Sequence, residues 1–287
     1  MGNIKHLCFT YFIVPIEEHL FTKPVPYETQ RAWLKEAMFS NQEFTTTSGV
    51  DYAIRIKEKD QLSFEDETNI IYGKLSRKKH THIYEKTPDD IKEKDREDWP
   101  FIGFICDMRK KHQKLVMEYD SKVISSMISF KKHLQEIANY KMFSHGYSVA
   151  FELLVREKAF WKIIDSADGV YGIHFSLHSP NLFGADEEAD KALKELQKIF
   201  NNNRAEFDLT NDQAKLKVPR ERITSFQKYA DRGGGSWKIS VQKNNRKRTH
   251  SSTEQAFTFT VEAEERANIE TLRKVLREFL RKDNHEV

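Results

Sequence analysis

The sequence predicts an α+β protein with mixed, mainly antiparallel sheets and packed helices, arranged in two halves. Three observations lead there. Short apolar or alternating runs recur along the chain, several of them in pairs around a polar turn. Between them stand longer segments whose apolar residues recur at spacings of three, four and seven. The rhythm changes near Gly146, which sets expected domains at 1–146 and 147–287.

In the first half, residues 6–16 form an apolar run suited to a buried strand, with Pro15 turning its far end to an edge or a bend. Residues 29–39 read as a helix, with Ala32, Trp33, Ala37 and Met38 on one face. Residues 50–56 alternate through Tyr52, Ile54 and Ile56, as a strand does. Residues 69–75 and 81–84 read as two arms of a hairpin. The stretch 87–98 is almost wholly polar and reads as a loop or a solvated helix. Residues 99–106 give the strongest strand signal and pair in expectation with 114–119. Residues 123–143 are helical through Ile124, Met127, Ile128, Leu134, Ile137 and Ala138, and His145-Gly146 supplies a stop.

In the second half, 147–155 reads as a strand, 156–166 as a helix and 169–178 as a strand ended by Ser179-Pro180-Asn181. Residues 186–201 make an amphipathic helix, and Asp186 and Glu187 at its start suit the helix dipole. Residues 207–209 form a short strand. Residues 221–230 make a helix stopped by Gly233-Gly234-Gly235. Residues 237–242 and 256–262 alternate as two strands around a basic turn, and 267–281 close the chain as a helix.

The chain has 287 residues with a net charge of only +3, so any polyanion site must come from local clustering. No apolar run reaches the roughly 18 residues of a membrane span, so membrane insertion is not expected. Glu17 and Glu18 interrupt the early apolar stretch, against a signal peptide. His6 stands where a myristoylation motif on Gly2 needs Ser or Thr. Cys8 and Cys106 both lie in apolar runs and read as buried thiols, too few for a structural zinc site. A cytoplasmic protein without metal or cofactor is expected.

The feature that points to a function is a repeated basic string. Arg77-Lys78-Lys79-His80 and Arg109-Lys110-Lys111-His112 are identical, and Arg246-Lys247-Arg248-Thr249-His250 is a near copy preceded by Lys243. Each lies between strand-like segments and is expected at a hairpin tip. There Lys and Arg reach phosphates at little desolvation cost and release condensed counterions, and Arg adds bidentate geometry. The third string, with Asn244 and Asn245, is expected to form a two-stranded finger able to enter a groove. For any one string alone, a solvated tip that discourages aggregation is the better account; the three together are what point to a polyanion surface.

Catalytic constellations are weaker. His174-Phe175-Ser176-Leu177 has the His-x-Ser/Thr-apolar form of the two-histidine phosphoesterases, and His250-Ser251-Ser252 is its only other match. Glu152, Asp165, Asp168, Asp208 and Asp212 do not form a nuclease pattern. His80 and His82 share a strand face without a third ligand. Arg232-Gly233-Gly234-Gly235 lacks the ending of a P-loop. No catalytic residue is assigned.

The order of elements resembles the RexA-type phage-exclusion proteins and similar bacterial defence proteins. The residues that carry the resemblance are Asp98-Trp99-Pro100-Phe101-Ile102-Gly103-Phe104, Ser179-Pro180-Asn181 and Tyr229-Ala230-Asp231-Arg232-Gly233-Gly234-Gly235. The resemblance implies a dimeric DNA-binding protein of phage defence with an effector partner. The expectation is therefore a non-enzymatic binder of nucleic acid, duplex DNA first. Its contacts would be Arg77, Lys78, Lys79, Arg109, Lys110, Lys111, Lys243, Arg246, Lys247 and Arg248. The alternatives are a nuclease or phosphoesterase, and a protein–protein interaction module.

Overall fold

The computed structural model describes residues 2–16, 25–56, 69–110, 112–156, 158–179, 188–200 and 202–284. The chain opens with β1 (Gly2–Pro15) and α1 (Tyr27–Met38), followed by β2 (Gln42–Thr45), β3 (Asp51–Ile56) and β4 (Ile70–Arg77). Then come β5 (Lys79–Lys86), β6 (Ile91–Asp98), β7 (Phe101–Asp107), β8 (Lys114–Tyr119), α2 (Met127–Met142) and β9 (Tyr147–Leu153). The later part holds α3 (Ala159–Asp165), β10 (Gly169–His178), α4 (Glu188–Phe200), β11 (Arg204–Thr210) and α5 (Arg220–Tyr229). It ends with β12 (Gly235–Lys243), β13 (Arg246–Ser251), β14 (Thr258–Ala263) and α6 (Ile269–Asn284). The protein is α+β, with antiparallel pairing in all three sheets.

The first sheet runs β14-β1-β8-β7-β4-β3-β2, with β9 also paired to β1. Strand β1 is long enough to hold β14 along Gly2–Leu7 and β9 along Phe9–Pro15. Both its faces are covered, which is why its sequence reads as an unbroken apolar run. Leu7, Phe9, Tyr11 and Ile13 face the core under α1 and α2, where Phe130, Leu134, Ile137 and Ala138 are buried. Cys8 faces the other way, into the core closed by Leu272, Val275, Leu276 and Phe279 of α6. Both thiols are buried, as expected.

The second sheet runs β11-β10-β12-β13. Period-two alternation sends Ile173, Phe175 and Leu177 of β10, with Trp237, Ile239 and Val241 of β12, into one core. Phe160 and Trp161 of α3 and Leu193 of α4 complete that core. The opposite face of the sheet is polar.

The expected division at Gly146 does not fall between the two sheets. Strand β9 pairs with β1, and β14 and α6 return to the first sheet after the second is complete. The second unit is thus inserted within the first. Polar contacts join them: Thr10 Oγ1 donates to Arg232 O at 3.4 Å, and the buried Glu152 Oε1 lies 3.2 Å from His178 Nε2.

Two hairpins also differ from expectation. Residues 69–75 and 81–84 do not pair with each other. Strand β4 pairs with β7 and β5 pairs with β6, so the polar stretch read as a loop contains a strand. Around the third basic string, the partner of β12 is β13, which contains the basic residues themselves; the later alternating run belongs to β14. No helix among the described residues is long and apolar enough to cross a membrane.

Candidate nucleic-acid interface

The three basic strings lie on different elements. The first is not a hairpin tip. Arg77 ends β4, opposite the start of β7, whereas Arg109 follows the far end of β7. Seven residues of strand, about 20 Å, therefore separate them. In the first string, Arg77 donates to Ser125 Oγ at 2.8 Å. Lys78 pairs with Glu97 at 2.6 Å, a hydrogen bond that holds its ammonium above the usual lysine range. Lys79 is half-buried at the start of β5.

The second string does connect a hairpin, β7 to β8. Its arginine, however, is engaged: Arg109 donates to both oxygens of the fully buried Asp107, with Nη2 to Oδ2 at 2.6 Å. His112 Nδ1 approaches the same carboxylate at 3.2 Å. Lys110 is exposed, and Lys111 lies outside the described residues.

The third string turns tightly at Asn244-Asn245, both with positive φ of 52° and 58°, as a two-residue hairpin turn requires. It is not a free finger. Gly169 of β10 pairs with Gln242, and Asp168 Oδ2 accepts from Asn244 N at 2.8 Å, so the tip is tied to the body of the sheet. Its cations are also divided. Lys247, opposite Gln242, lies on the polar face, whereas Arg246 and Arg248, opposite Lys243 and Val241, lie on the other.

The element that stands free is one the sequence did not suggest. Strands β4 and β7 pair from Ile70↔Asp107 to Ser76↔Phe101, and β5 and β6 continue in the same register from Lys79↔Asp98 to Lys86↔Ile91. They form one long hairpin whose near half lies in the first sheet. At the junction, Pro100 has no N–H to give, Lys78 N turns away to Asp51 O, and Arg77 N and Ser76 Oγ both donate to Pro100 O. Beyond it the far half extends alone. Every residue of β6 is exposed, and so is every residue of β5 after Lys79. Eight residues per strand give the arm a reach of about 26 Å.

The arm separates charge by face. Antiparallel partners share a face, so Lys79, Thr81, Ile83 and Glu85 lie with Asp98, Arg96, Lys94 and Lys92. That face holds four cations against two carboxylates. The other carries His80, His82, Tyr84 and Lys86 beside Glu97, Asp95, Glu93 and Ile91. There His82 Nδ1 is 2.6 Å from Asp95 and 3.3 Å from Glu93. At the tip, Thr87 N and Oγ1 both donate to Asp90 O, closing the turn. Lys92, Lys94 and Arg96 were missed because β6 has no apolar alternation. The signal available was its alternation of charge sign, KEKDRED.

The polar face of the second sheet carries a concavity of about 370 Å³. One cross-strand row places Asp208, His174 and Lys238 side by side, and the next places Thr210, Gly172, Ser240 and Thr249. His250, the second histidine of the phosphoesterase reading, pairs with Ile239 on the opposite face. The two imidazoles therefore do not converge. Among the described residues, no three His, Cys, Asp or Glu side chains are placed to hold a metal ion.

Residues 13–281 match a family described as "Domain of unknown function (DUF4747)". No curated protein matches the chain.

Proposed function

The chain belongs to the DUF4747 family, and from the geometry of its arm we propose that it is a non-enzymatic nucleic-acid-binding protein with duplex DNA as its ligand. The observation that carries this reading is the basic face of the free arm, where the exposed Lys92, Lys94 and Arg96 project from a two-stranded ribbon with the half-buried Lys79 at its base. A major groove about 12 Å wide admits such a ribbon. The cations sit on alternate residues of β6, about 7 Å apart, and can follow a phosphate backbone. Exposed cations of this kind bind through counterion release, so affinity falls with salt. Lys110 and Lys247 are exposed and add to the field from elsewhere on the surface. Arg109 serves the fold through Asp107, and Lys78 is held by Glu97. The defence role, the homodimer and the effector partner stand on the RexA-type resemblance alone, and the cytoplasm is the compartment this reading assigns.

The test is binding of the intact chain to labelled duplex DNA, single-stranded DNA and RNA across a salt series with magnesium present. Steeply salt-dependent binding, tightest for duplex and with the nucleic acid intact, is expected. Cleavage of the ligand, or no binding at low salt, overturns the reading.

A further inference from the structure

The concavity on the polar face of the second sheet is remote in topology from the arm and has its own chemistry. Its floor is the β10 segment Gly172–His174, which lies between β11 and β12. Its two walls differ in charge. Asp208 of β11 and Asp212 just beyond that strand form one side. Lys238 of β12 and Lys247 of β13 form the other, with the hydroxyls of Ser240 and Thr249 between them. Those hydroxyls are 3.0 Å apart and bonded to each other, which leaves each with further hydrogen-bonding capacity. At one end, where the strand bulges between Val170 and Gly172, stands Tyr171 with Lys247 Nζ 5.0 Å from its ring centroid.

We propose that this concavity binds a mononucleotide. The volume falls within the range of small-ligand pockets. Lys238 and Lys247 receive the phosphate, joined by the Ser240 and Thr249 hydroxyls, in charge-assisted hydrogen bonds. Asp208 and Asp212, acceptors only when ionised, take the ribose hydroxyls or an exocyclic amine. Tyr171 supplies an aromatic surface for the base. A ligand with an anionic end and a hydroxyl-rich end matches both walls, whereas a free anion matches only one. The site does not depend on the arm or on the proposal made for it.

Calorimetric titration of the intact chain with AMP, GMP, CMP and UMP tests this, with adenosine and inorganic phosphate as partial ligands. One mononucleotide per chain is expected to bind, more tightly than either partial ligand. Lys238→Ala and Lys247→Ala, both at exposed positions, are each expected to weaken it about tenfold, the loss of one charge-assisted hydrogen bond. Asp208→Asn is expected to weaken the mononucleotide but not inorganic phosphate. A variant with Lys92, Lys94 and Arg96 changed to Glu is expected to bind the mononucleotide normally, even though its duplex binding is weakened. Failure of all four mononucleotides to bind overturns the proposal. So does undiminished binding by Lys238→Ala, phosphate binding as tight as that of the mononucleotide, or loss of binding in the arm variant.

Discussion

Glu152 of the first sheet and His178 of the second meet at 3.2 Å, and Lys131 Nζ holds the other carboxylate oxygen at 2.5 Å. Glu152 and His178 are buried, and the imidazole stacks on Phe12 with ring centroids 4.6 Å apart. Burial pushes the Glu152 carboxyl up. The hydrogen bonds from His178 and Lys131 and the Lys131 charge outweigh it, so the group sits below its usual range. A depressed carboxyl contributes stability above the unfolded value of about 4.5, and that contribution is lost as pH falls through the folded value.

Glu152→Gln is therefore expected to lower stability at neutral pH by about 3 kcal/mol, as breaking a buried pair does. It should also flatten the acid limb of stability below pH 4.5 or so. Urea unfolding of both proteins from pH 3 to pH 7 checks it. Equal stability at pH 7 would show that the contact does not hold the sheets together.

Arg109 and Lys110 are neighbours with opposite expectations. Arg109→Ala leaves the fully buried Asp107 without its bidentate partner and should cost about 3 kcal/mol. Lys110→Ala touches an exposed side chain and should change stability by less than about 0.5 kcal/mol. Denaturant melts of the pair decide whether the second basic string serves the fold or the surface.

Gly233 has φ of 84°, and a Cβ there would overlap the Thr10 hydroxyl of β1. Gly233→Ala combines left-handed strain with overpacking at the junction of the two sheets, and about 2 to 4 kcal/mol of destabilisation is expected. Thermal unfolding measures it. A melting temperature like that of the parent would mean that the junction yields freely.

Much of the fold was legible because burial writes itself into periodicity. Residues 6–16 read as a buried strand because both faces of β1 are covered, and α2 shows in its apolar stripe. Pairing was not legible. The β4–β7 ladder is long-range, and nothing in 69–75 says that its partner lies beyond an exposed ribbon. Strand β6 was invisible because it packs on nothing, so its residues obey no apolar rule. Of the candidate site, the basic residues were readable but their geometry was not. The carboxylates that engage Lys78 and Arg109 are Glu97 and Asp107, one of them distant in sequence and the other buried. The rows Asp208-His174-Lys238 and Thr210-Gly172-Ser240-Thr249 exist only once β10, β11, β12 and β13 are in register.

The arm's basic face carries the central claim, and one measurement addresses it directly. Duplex DNA binding is compared between the parent and a variant with Lys92→Glu, Lys94→Glu and Arg96→Glu, over a series of salt concentrations. The three side chains are exposed, so the fold is expected to survive, which circular dichroism checks. The account predicts at least about a tenfold loss of affinity at low salt, with a salt slope shallower by about 0.9 for each phosphate contact removed. Affinity and slope equal to those of the parent, in a folded variant, would contradict it.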